Sequence, residues 1–233
     1  MTDLHAHFLP DIDDGAKDVD ESIAMLNDAY LQGVRVCVAT PHAVIHHDDS
    51  IEKFIKRRNE SYSKLADEIK RRGSCVPKLL LGAEVYFDND ISSRSDIKEL
   101  CIGDSSTMLV EFPVSDRMPS RIADKMYSLN CMGIMPIIAH VDRYPFWEKL
   151  MSEFCDIDVY YQINSSRFLT ITGRTLAKKI MRCTDRLIVS SDMHNMASRK
   201  CSMGNAYLSA SKRFESRAGA MFNKTAQSLI KGR

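Results

Sequence analysis

Apolar residues along the chain alternate between short runs rich in β-branched side chains and longer stretches with helical spacing. The short runs predict strands of a parallel sheet that is covered on both faces. The longer stretches between them predict crossover helices. The predicted strands are TDLHA (2–6), VRVCVAT (34–40), KLLLGAEV (78–85), TMLVEF (107–112), MPIIAH (135–140), VYYQIN (159–164) and RLIVSSD (186–192).

The helical stretches carry recognisable start and stop signals. Asp18 or Asp20 can cap the first helix, and Gly33 marks its end. Seven strands interleaved with helices predict a parallel α/β fold, either a barrel or an open, doubly wound sheet. Further helices are predicted at about 50–72, within 119–132 and 173–183, and twice after residue 200.

Length and composition predict one domain spanning residues 1–233. The chain has 233 residues, 44% of them apolar and 27% charged, and it shows no repeat, low-complexity tract or linker. No apolar run approaches the roughly 18 to 20 residues of a membrane span. The first residues lack the basic and apolar regions of a signal peptide. We therefore expect a cytoplasmic protein without membrane insertion.

Net charge and cysteine content limit the classes of partner and the types of metal ligand that we expect. The 32 basic and 31 acidic residues give a net charge of +1, which does not favour nucleic acid as the main partner. The seven cysteines are scattered without a CxxC pair. This pattern is typical of reduced thiols, and it argues against cysteine as a metal ligand. The cysteines are residues 37, 75, 101, 131, 155, 183 and 201.

Histidines and acidic residues lie at the carboxyl ends of the predicted strands. In parallel α/β proteins these ends meet at one mouth. Each residue alone has an ordinary alternative, such as capping a helix, sitting in a core or forming a turn. Their recurrence at six of seven strand ends instead predicts a metal site. The residues are His5, His7, His42, Glu84, Glu111, His140, Asp192 and His194, whereas His46 and His47 fall in a polar loop and are predicted to be solvated.

Imidazole and carboxylate ligands without thiolate suit Mn, Fe or Zn. The candidates are too many for one ion, so two or three divalent ions sharing a bridging carboxylate are expected. Such a cluster activates water and clamps phosphate oxygens, which is the apparatus of phosphoester hydrolysis. Arg143 and Arg199 follow the fifth and seventh strands and are predicted to bind phosphate, although a loop arginine is often simply solvated.

The motifs HAH, DIDDGA, VATPH, GAE, VEF, IAHVDRY and SSDMHN, in this order, resemble those of the PHP (polymerase and histidinol phosphatase) superfamily. They are similar in particular to bacterial CpsB/YwqE-type protein-tyrosine phosphatases of capsule and exopolysaccharide operons. The resemblance covers nearly the whole chain. It implies a distorted (β/α)7 TIM-like barrel with a trinuclear site, manganese being the expected metal.

The resemblance also implies how the ligands are shared among the ions. Spacing alone leaves Asp11, Asp13 and Asp14 in competition, and the resemblance selects Asp14 as the aspartate before Gly15. The implied sets are His5, His7, Glu84 and Asp192 for one ion, a bridging Glu84 with Glu111 and His140 for the second, and Asp14, His42 and His194 for the third.

The sequence therefore predicts a phosphomonoester hydrolase in which a hydroxide bridging the ions attacks phosphorus. The resemblance implies that the substrate is a phosphotyrosine protein, namely a bacterial tyrosine kinase that controls capsule synthesis. No Cys-x5-Arg loop is present for a cysteinyl-phosphate route. The alternatives are a histidinol phosphatase or another small-molecule phosphoesterase, and a non-catalytic PHP-like module. The oligomeric state and the role of the 43–50 loop stay open.

Overall fold

The computed structural model describes residues 1–45, 50–87 and 94–231. Residues 46–49 of the 43–50 loop, among them His46 and His47, lie outside the described residues, so the predicted solvation of these histidines is not tested. Within the described part, no helix is long and apolar enough to cross a membrane.

The described strands are short, and every pairing between them is parallel. They form a three-stranded sheet in the order β1-β2-β4 and a six-stranded sheet in the order β3-β5-β6-β7-β8-β9. The strands are β1 (Thr2–Ala6), β2 (Val36–Ala39), β3 (His42–Ala43), β4 (Lys78–Leu81), β5 (Glu84–Tyr86), β6 (Thr107–Glu111), β7 (Met135–Ile138), β8 (Tyr160–Asn164) and β9 (Leu187–Ser190).

The strands around Pro41 and Gly82 differ from the sequence prediction. The predicted strand 34–40 corresponds to β2, and β3 is an additional short strand that begins after Pro41, which has no N–H for a sheet ladder. The predicted strand 78–85 is divided into β4 and β5 at Gly82, where a Cβ atom would lie 3.1 Å from Ile102 Cγ1. At both places the chain passes from the first sheet to the second. These changes of sheet also place His42 directly opposite Glu84 in the β3–β5 pairing.

The first strand, β1, lies beside the last, β9. The backbone N–H of Asp192 donates to the carbonyl of His5 at 2.9 Å, and the N–H of His7 donates to the carbonyl of Met193 at 2.9 Å. The N–H of Leu4 donates to Ser190 Oγ at 3.1 Å. We call this contact the β1–β9 seam. It brings residues from opposite ends of the chain to one place.

The helices follow the predicted order, with additions. Asp18 caps the first helix by accepting from the Glu21 N–H at 2.8 Å, and Gly33 adopts φ +92° just after it ends. A short helix at 147–153 was not predicted from the sequence, and three α-helices follow residue 200 where two were predicted. The helices are α1 (Val19–Leu31), α2 (Ser50–Arg72), α3 (Ile122–Cys131), α4 (Trp147–Glu153), α5 (Ile171–Cys183), α6 (Met203–Phe214), α7 (Ser216–Gly219) and α8 (Thr225–Leu229), with 3-10 turns at Ser95–Leu100, Val141–Arg143 and Ser165–Leu169 and a π-helical turn at Ala220–Lys224.

The core has an outer and an inner part. The larger, outer cluster joins strand side chains to the helices. The inner cluster is formed by strand residues that meet one another, and α8 packs against it through Ala226 and Leu229. Thr107 on β6 donates from Oγ1 to the Leu229 carbonyl at 2.7 Å, which fixes α8 in place. The strand members of the inner cluster include Leu4, Val38, Leu109, Ile137 and Ile188, each fully buried and each stabilising the fold by about 2 kcal/mol.

Candidate metal centre

Glu84, the first residue of β5, lies at the middle of the predicted site and is 1% exposed. Its Oε1 is 3.2 Å from His5 Nε2 and 3.1 Å from His140 Nε2. Its Oε2 is 3.2 Å from His7 Nε2 and 3.0 Å from His42 Nδ1. One carboxylate thus contacts four imidazoles that come from three different parts of the sheet.

The two histidines of the HAH motif point into the same space. His5 and His7 are buried, and their Nε2 atoms are 3.2 Å apart. The register of the β1–β2 pairing shifts between Asp3 and Ala6, next to these two histidines. Asp192, two residues after β9, places Oδ1 3.4 Å from His5 Nε2. The structure therefore brings together the predicted set of His5, His7, Glu84 and Asp192.

The second predicted set also converges. His140 Nε2 lies 3.1 Å from Glu111 Oε1 as well as from Glu84 Oε1. His42 Nδ1 lies 3.7 Å from Glu111 Oε2, so His42 borders this group from the other side. Glu84, Glu111 and His140 consequently surround one small volume.

The third predicted set lies nearer the surface. Asp14 Oδ1 is 3.2 Å from His42 Nε2 and 3.4 Å from His194 Nε2, and the Asp14 side chain is 60% exposed. Ligand atoms of His7, Asp14, His42 and His194 lie within 4.8 Å of one another. The geometry supports Asp14 among the three competing aspartates, and its role as a ligand stays a prediction.

Asp13 has a different function, which the sequence did not reveal. Its Oδ2 accepts from His7 Nδ1 at 2.8 Å and from the His42 backbone N–H at 3.1 Å. The first contact orients the imidazole of His7, and the second holds the backbone of His42. The turn passes so close to the end of β1 that a Cβ atom on Gly15 would lie 2.1 Å from the His7 carbonyl oxygen, and only glycine fits there. The DDG sequence thus combines an orienting carboxylate, a site carboxylate and an obligatory glycine.

Two amides on β8 were also missed by the sequence prediction, which assigned no site residue to this strand. Gln162 Oε1 lies 3.1 Å from His5 Nδ1 and accepts from the His140 N–H at 2.6 Å. Asn164 Nδ2 donates to Asp192 Oδ2 at 2.8 Å, and Gln162 donates to Asn164. Two amides spaced two residues apart near the end of a strand were the available signal, since they share one face.

His140 and Asp192 adopt backbone conformations that non-glycine residues rarely occupy. Their φ angles are +30° and +52°. Such conformations cost on the order of 1–3 kcal/mol each and persist where surrounding contacts enforce them. Both residues belong to the predicted ligand sets, so backbone strain occurs at two of the candidate ligands.

Both predicted phosphate-binding arginines reach the site, where they contact Asp192. Arg143 Nη2 donates to Asp192 Oδ2, and Arg199 Nη2 donates to Asp192 Oδ1 at 3.0 Å. Arg199 Nη1 is also 3.5 Å from Asp14 Oδ2. The two guanidinium groups are about one-third exposed, so they can reach both the centre and a ligand arriving from solvent.

The donor set fits divalent cations. Buried polar atoms without a hydrogen-bond partner cluster here, namely Glu84 Oε2, His140 Nδ1 and His194 Nε2. A buried polar atom without a partner costs about 1–3 kcal/mol of stability. A cation removes this cost for each of these atoms that it contacts. The combination of imidazole nitrogens and carboxylate oxygens, with no cysteine sulfur, suits Mn, Fe or Zn.

Burial and charge compete in setting the pKa values of the histidines. Burial alone would lower the pKa of His7 and His140. In His7 the contacts with Asp13 and Glu84 outweigh burial, and in His140 those with Glu111 and Glu84 do, so that each pKa rises to about 9. His194 behaves oppositely, because burial and the nearby His7 lower its pKa to about 3. Protons and divalent cations therefore compete for His7 and His140 at neutral pH.

We predict that Mn²⁺ binding releases protons. Because the pKa values of His7 and His140 are raised to about 9, we expect both to be protonated at pH 7.5 without metal, and both must be neutral to ligate, so at least two protons should leave. Affinity should rise with pH up to about 9 and level off above it. Titration calorimetry in buffers of different ionisation enthalpy measures this number. Proton-free binding that is independent of pH would contradict the prediction.

Comparison with known proteins identifies the family of this chain. The family described as capsular polysaccharide synthesis, CpsB/CapC, matches residues 1–231. Tyrosine-protein phosphatase CpsB of Streptococcus pneumoniae is 31% identical over 231 residues, covering 92% of this chain and 91% of the relative. Tyrosine-protein phosphatase CpsB of Streptococcus agalactiae serotype V is 28% identical, covering 99% of this chain and 98% of the relative.

A solved structure shares the fold over the whole chain. It comes from the crystal structures of YwqE from Bacillus subtilis and CpsB from Streptococcus pneumoniae, described as unique metal-dependent tyrosine phosphatases. The TM-score is 0.86 at 25% identity, and the match covers 100% of this chain and 95% of the other. The chain described here belongs to the CpsB/CapC family of capsular polysaccharide synthesis.

Proposed function

We propose that this protein is a metal-dependent tyrosine-protein phosphatase. The observation that carries the proposal is the convergence of five histidines and three other carboxylates on and around the buried Glu84. It is supported by family membership and by relatives that are named tyrosine-protein phosphatases. The sequence prediction of a phosphomonoester hydrolase agrees with this assignment.

We infer that three ligand sets hold two or three divalent ions, with manganese the expected metal. The sets are those implied by the sequence resemblance, and the short distances within each set support them. Glu84 is assigned the bridging role because its two oxygens face different imidazoles. When bound, the ions supply Lewis-acid stabilisation of phosphoryl oxygens and lower the pKa of water.

The residues of the chain itself orient the phosphate and the ligands. Arg143 and Arg199 flank the opening and present planar guanidinium groups suited to two phosphate oxygens each. Hydrogen bonds to Asp192 orient both guanidinium groups before the substrate binds. Gln162 and Asn164 keep His5 and Asp192 in place. The leaving group of phosphotyrosine is a phenol with a pKa near 10, which needs less protonation than an alkyl alcohol.

The cysteines are poorly suited to a covalent phosphoenzyme route. Burial raises the pKa of Cys101 to about 11 and that of Cys201 to about 12, and it places the pKa of Cys37 well above its usual value. A thiolate is the nucleophile in such routes, and it is scarce at these pKa values. The remaining cysteines are exposed and are absent from the ligand clusters of the described residues.

We further propose that residues 1–233 form a single domain shaped as a distorted (β/α)7 barrel. The β1–β9 seam supports this, because it joins the first and last strands of the two sheets. A bacterial tyrosine kinase as substrate and a cytoplasmic location stay predictions. The seven cysteines are free, in keeping with a reducing compartment.

A substrate panel tests the proposed function. Protein loaded with Mn²⁺ should hydrolyse phosphotyrosine peptides with a kcat/KM at least about tenfold above that for histidinol phosphate. Phosphate release, measured by a coupled assay at pH 7.5, gives both values. A reversed preference would assign the site to a small-molecule phosphoesterase. Replacement of each of the four exposed cysteines by serine should leave activity unchanged, and loss of activity in a variant that stays folded would favour a thiol route.

A further inference from the structure

Charge is unevenly distributed along the chain. Residues after 158 include 14 of the 32 basic residues and three of the 31 acidic residues. Helices α5 and α6 in this part carry several basic residues and no acidic one. The net charge of +1 therefore conceals a strongly basic surface on one part of the molecule.

A groove lies between α5 and the end of α6, with a volume of about 430 Å³. Two of its lining residues are apolar and three are positively charged, and none is acidic. Ile171 at one end is 77% exposed. We call this depression the α5 groove, and it is lined by Ile171, Arg174, Thr175, Lys178, Arg213 and Phe214.

The cations of the α5 groove are not neutralised within the described part of the chain. Lys178 and Arg213 form no ion pair or hydrogen bond there. Arg174 donates from Nη1 to the Phe168 carbonyl at 2.9 Å, but its Nε has no partner. Three like charges around one concave surface create a positive potential that attracts an anionic ligand.

The spacing of the cations matches an extended chain. Arg174, Lys178 and Arg182 recur every four residues on α5, which places them about 6 Å apart along the helix axis. Alternate side chains of an extended peptide lie about 6.6 Å apart on one face. Arg182 borders a second depression together with Arg217, which is paired with Asp185. Carboxylates at alternate positions of a bound peptide would thus meet successive cations.

The helix α5 is connected to the candidate metal centre through β8 and one short turn. Asn164, which contacts Asp192, ends β8 and is followed by the Ser165–Leu169 turn that leads into α5. Ser209 on α6 donates to the Phe168 carbonyl at 2.8 Å and holds α6 against this turn. A segment bound in the groove can therefore belong to the same polypeptide as a phosphate at the centre.

We propose that the α5 groove binds an extended, acidic segment of the phosphotyrosine-bearing protein substrate. The proposal rests on the proposed phosphatase function and names how that substrate is selected. A concave surface lined by both cationic and apolar side chains suits a peptide, whereas an anionic membrane surface is flat and would meet cations on a convex face. The groove contributes to substrate binding and contacts none of the reacting atoms.

The test compares Lys178→Glu/Arg213→Glu with Lys56→Glu/Lys64→Glu. The second pair makes the same change in net charge at exposed positions on α2. Phosphotyrosine peptides with alternating Glu residues on either side are compared with peptides carrying Gln instead. The groove variant should raise KM for the acidic peptides about tenfold with kcat within about twofold, and the effect should shrink in 0.5 M NaCl. The α2 variant should resemble the wild type.

Binding of fluorescent, unphosphorylated acidic peptide, followed by anisotropy, separates the two proposals. Weaker binding by the groove variant supports the groove even if no phosphotyrosine peptide is hydrolysed, an outcome that would reject only the phosphatase function. Equal binding and equal KM for both double variants would overturn the groove proposal. Loss of binding to phosphatidylserine vesicles with unchanged peptide binding would overturn it as well, in favour of a membrane surface.

Discussion

Glu84→Gln is expected to lower phosphatase turnover by about 10³-fold or more and to remove most of the bound metal. The carboxylate is the only one in the described site within about 3.2 Å of four imidazoles. Glutamine keeps its size, so the fold should persist, but its amide replaces one ligand oxygen by an N–H donor. A 10³-fold loss corresponds to about 4 kcal/mol of transition-state stabilisation. Metal analysis and phosphate release on the same preparation measure both effects.

The matched control is Glu148→Gln, on an exposed face of α4 away from the site. It should retain turnover and metal content within about twofold. Circular dichroism of both variants should match that of the wild type. If Glu84→Gln kept its metal and its activity, Glu84 would not bridge the ions, and the centre would have to be built on other carboxylates.

Removal of divalent ions is expected to abolish activity reversibly. Chelation followed by desalting should reduce turnover of phosphotyrosine peptide to background, and Mn²⁺ should restore it. The same cycle should lower the melting temperature, since a ligand at 100 times its dissociation constant stabilises the folded state by about 2.7 kcal/mol. The buried, unpartnered nitrogens and oxygens of the site are the second reason to expect lower stability without metal.

Parallel additions of Zn²⁺ and Fe²⁺ identify which ions support turnover, and Ca²⁺ serves as a control that prefers oxygen ligands. Phosphatase activity that survives thorough chelation, with metal content verified as negligible, would contradict a metal-dependent mechanism. Restoration by Ca²⁺ as effective as that by Mn²⁺ would argue against the imidazole nitrogens as ligands.

Much of the architecture was predictable from periodicity, because parallel strands buried on both faces leave continuous apolar runs. The positions of His5, Glu84 and Asp192 at strand ends were likewise visible in the sequence. The additional strand β3 and the division of the predicted strand 78–85 were not, since a single proline or glycine beside an apolar run does not specify a change of sheet. These two changes of sheet are nevertheless what pairs His42 with Glu84.

The orienting residues were harder to predict than the candidate ligands. Asp13 and Asp14 are neighbours of the same type, and only the fold shows that Asp13 contacts His7 while Asp14 faces His42 and His194. Gln162 has no chemistry that distinguishes it from any other polar strand residue. Its role depends on a hydrogen bond with His5, 157 positions away in sequence. Such long-range contacts are set by topology and leave no local pattern.

The β1–β9 seam has a consequence for biosynthesis. Its backbone contacts are few, and candidate metal residues lie on both sides of it, His5 and His7 at the end of β1 and Asp192 and His194 after β9. His5 and His7 are synthesised well before Asp192 and His194, so the first and third ligand sets are complete only once residues 192–194 have left the ribosome. Ions held by these two sets would then link segments that are far apart in sequence and would oppose local opening of the seam.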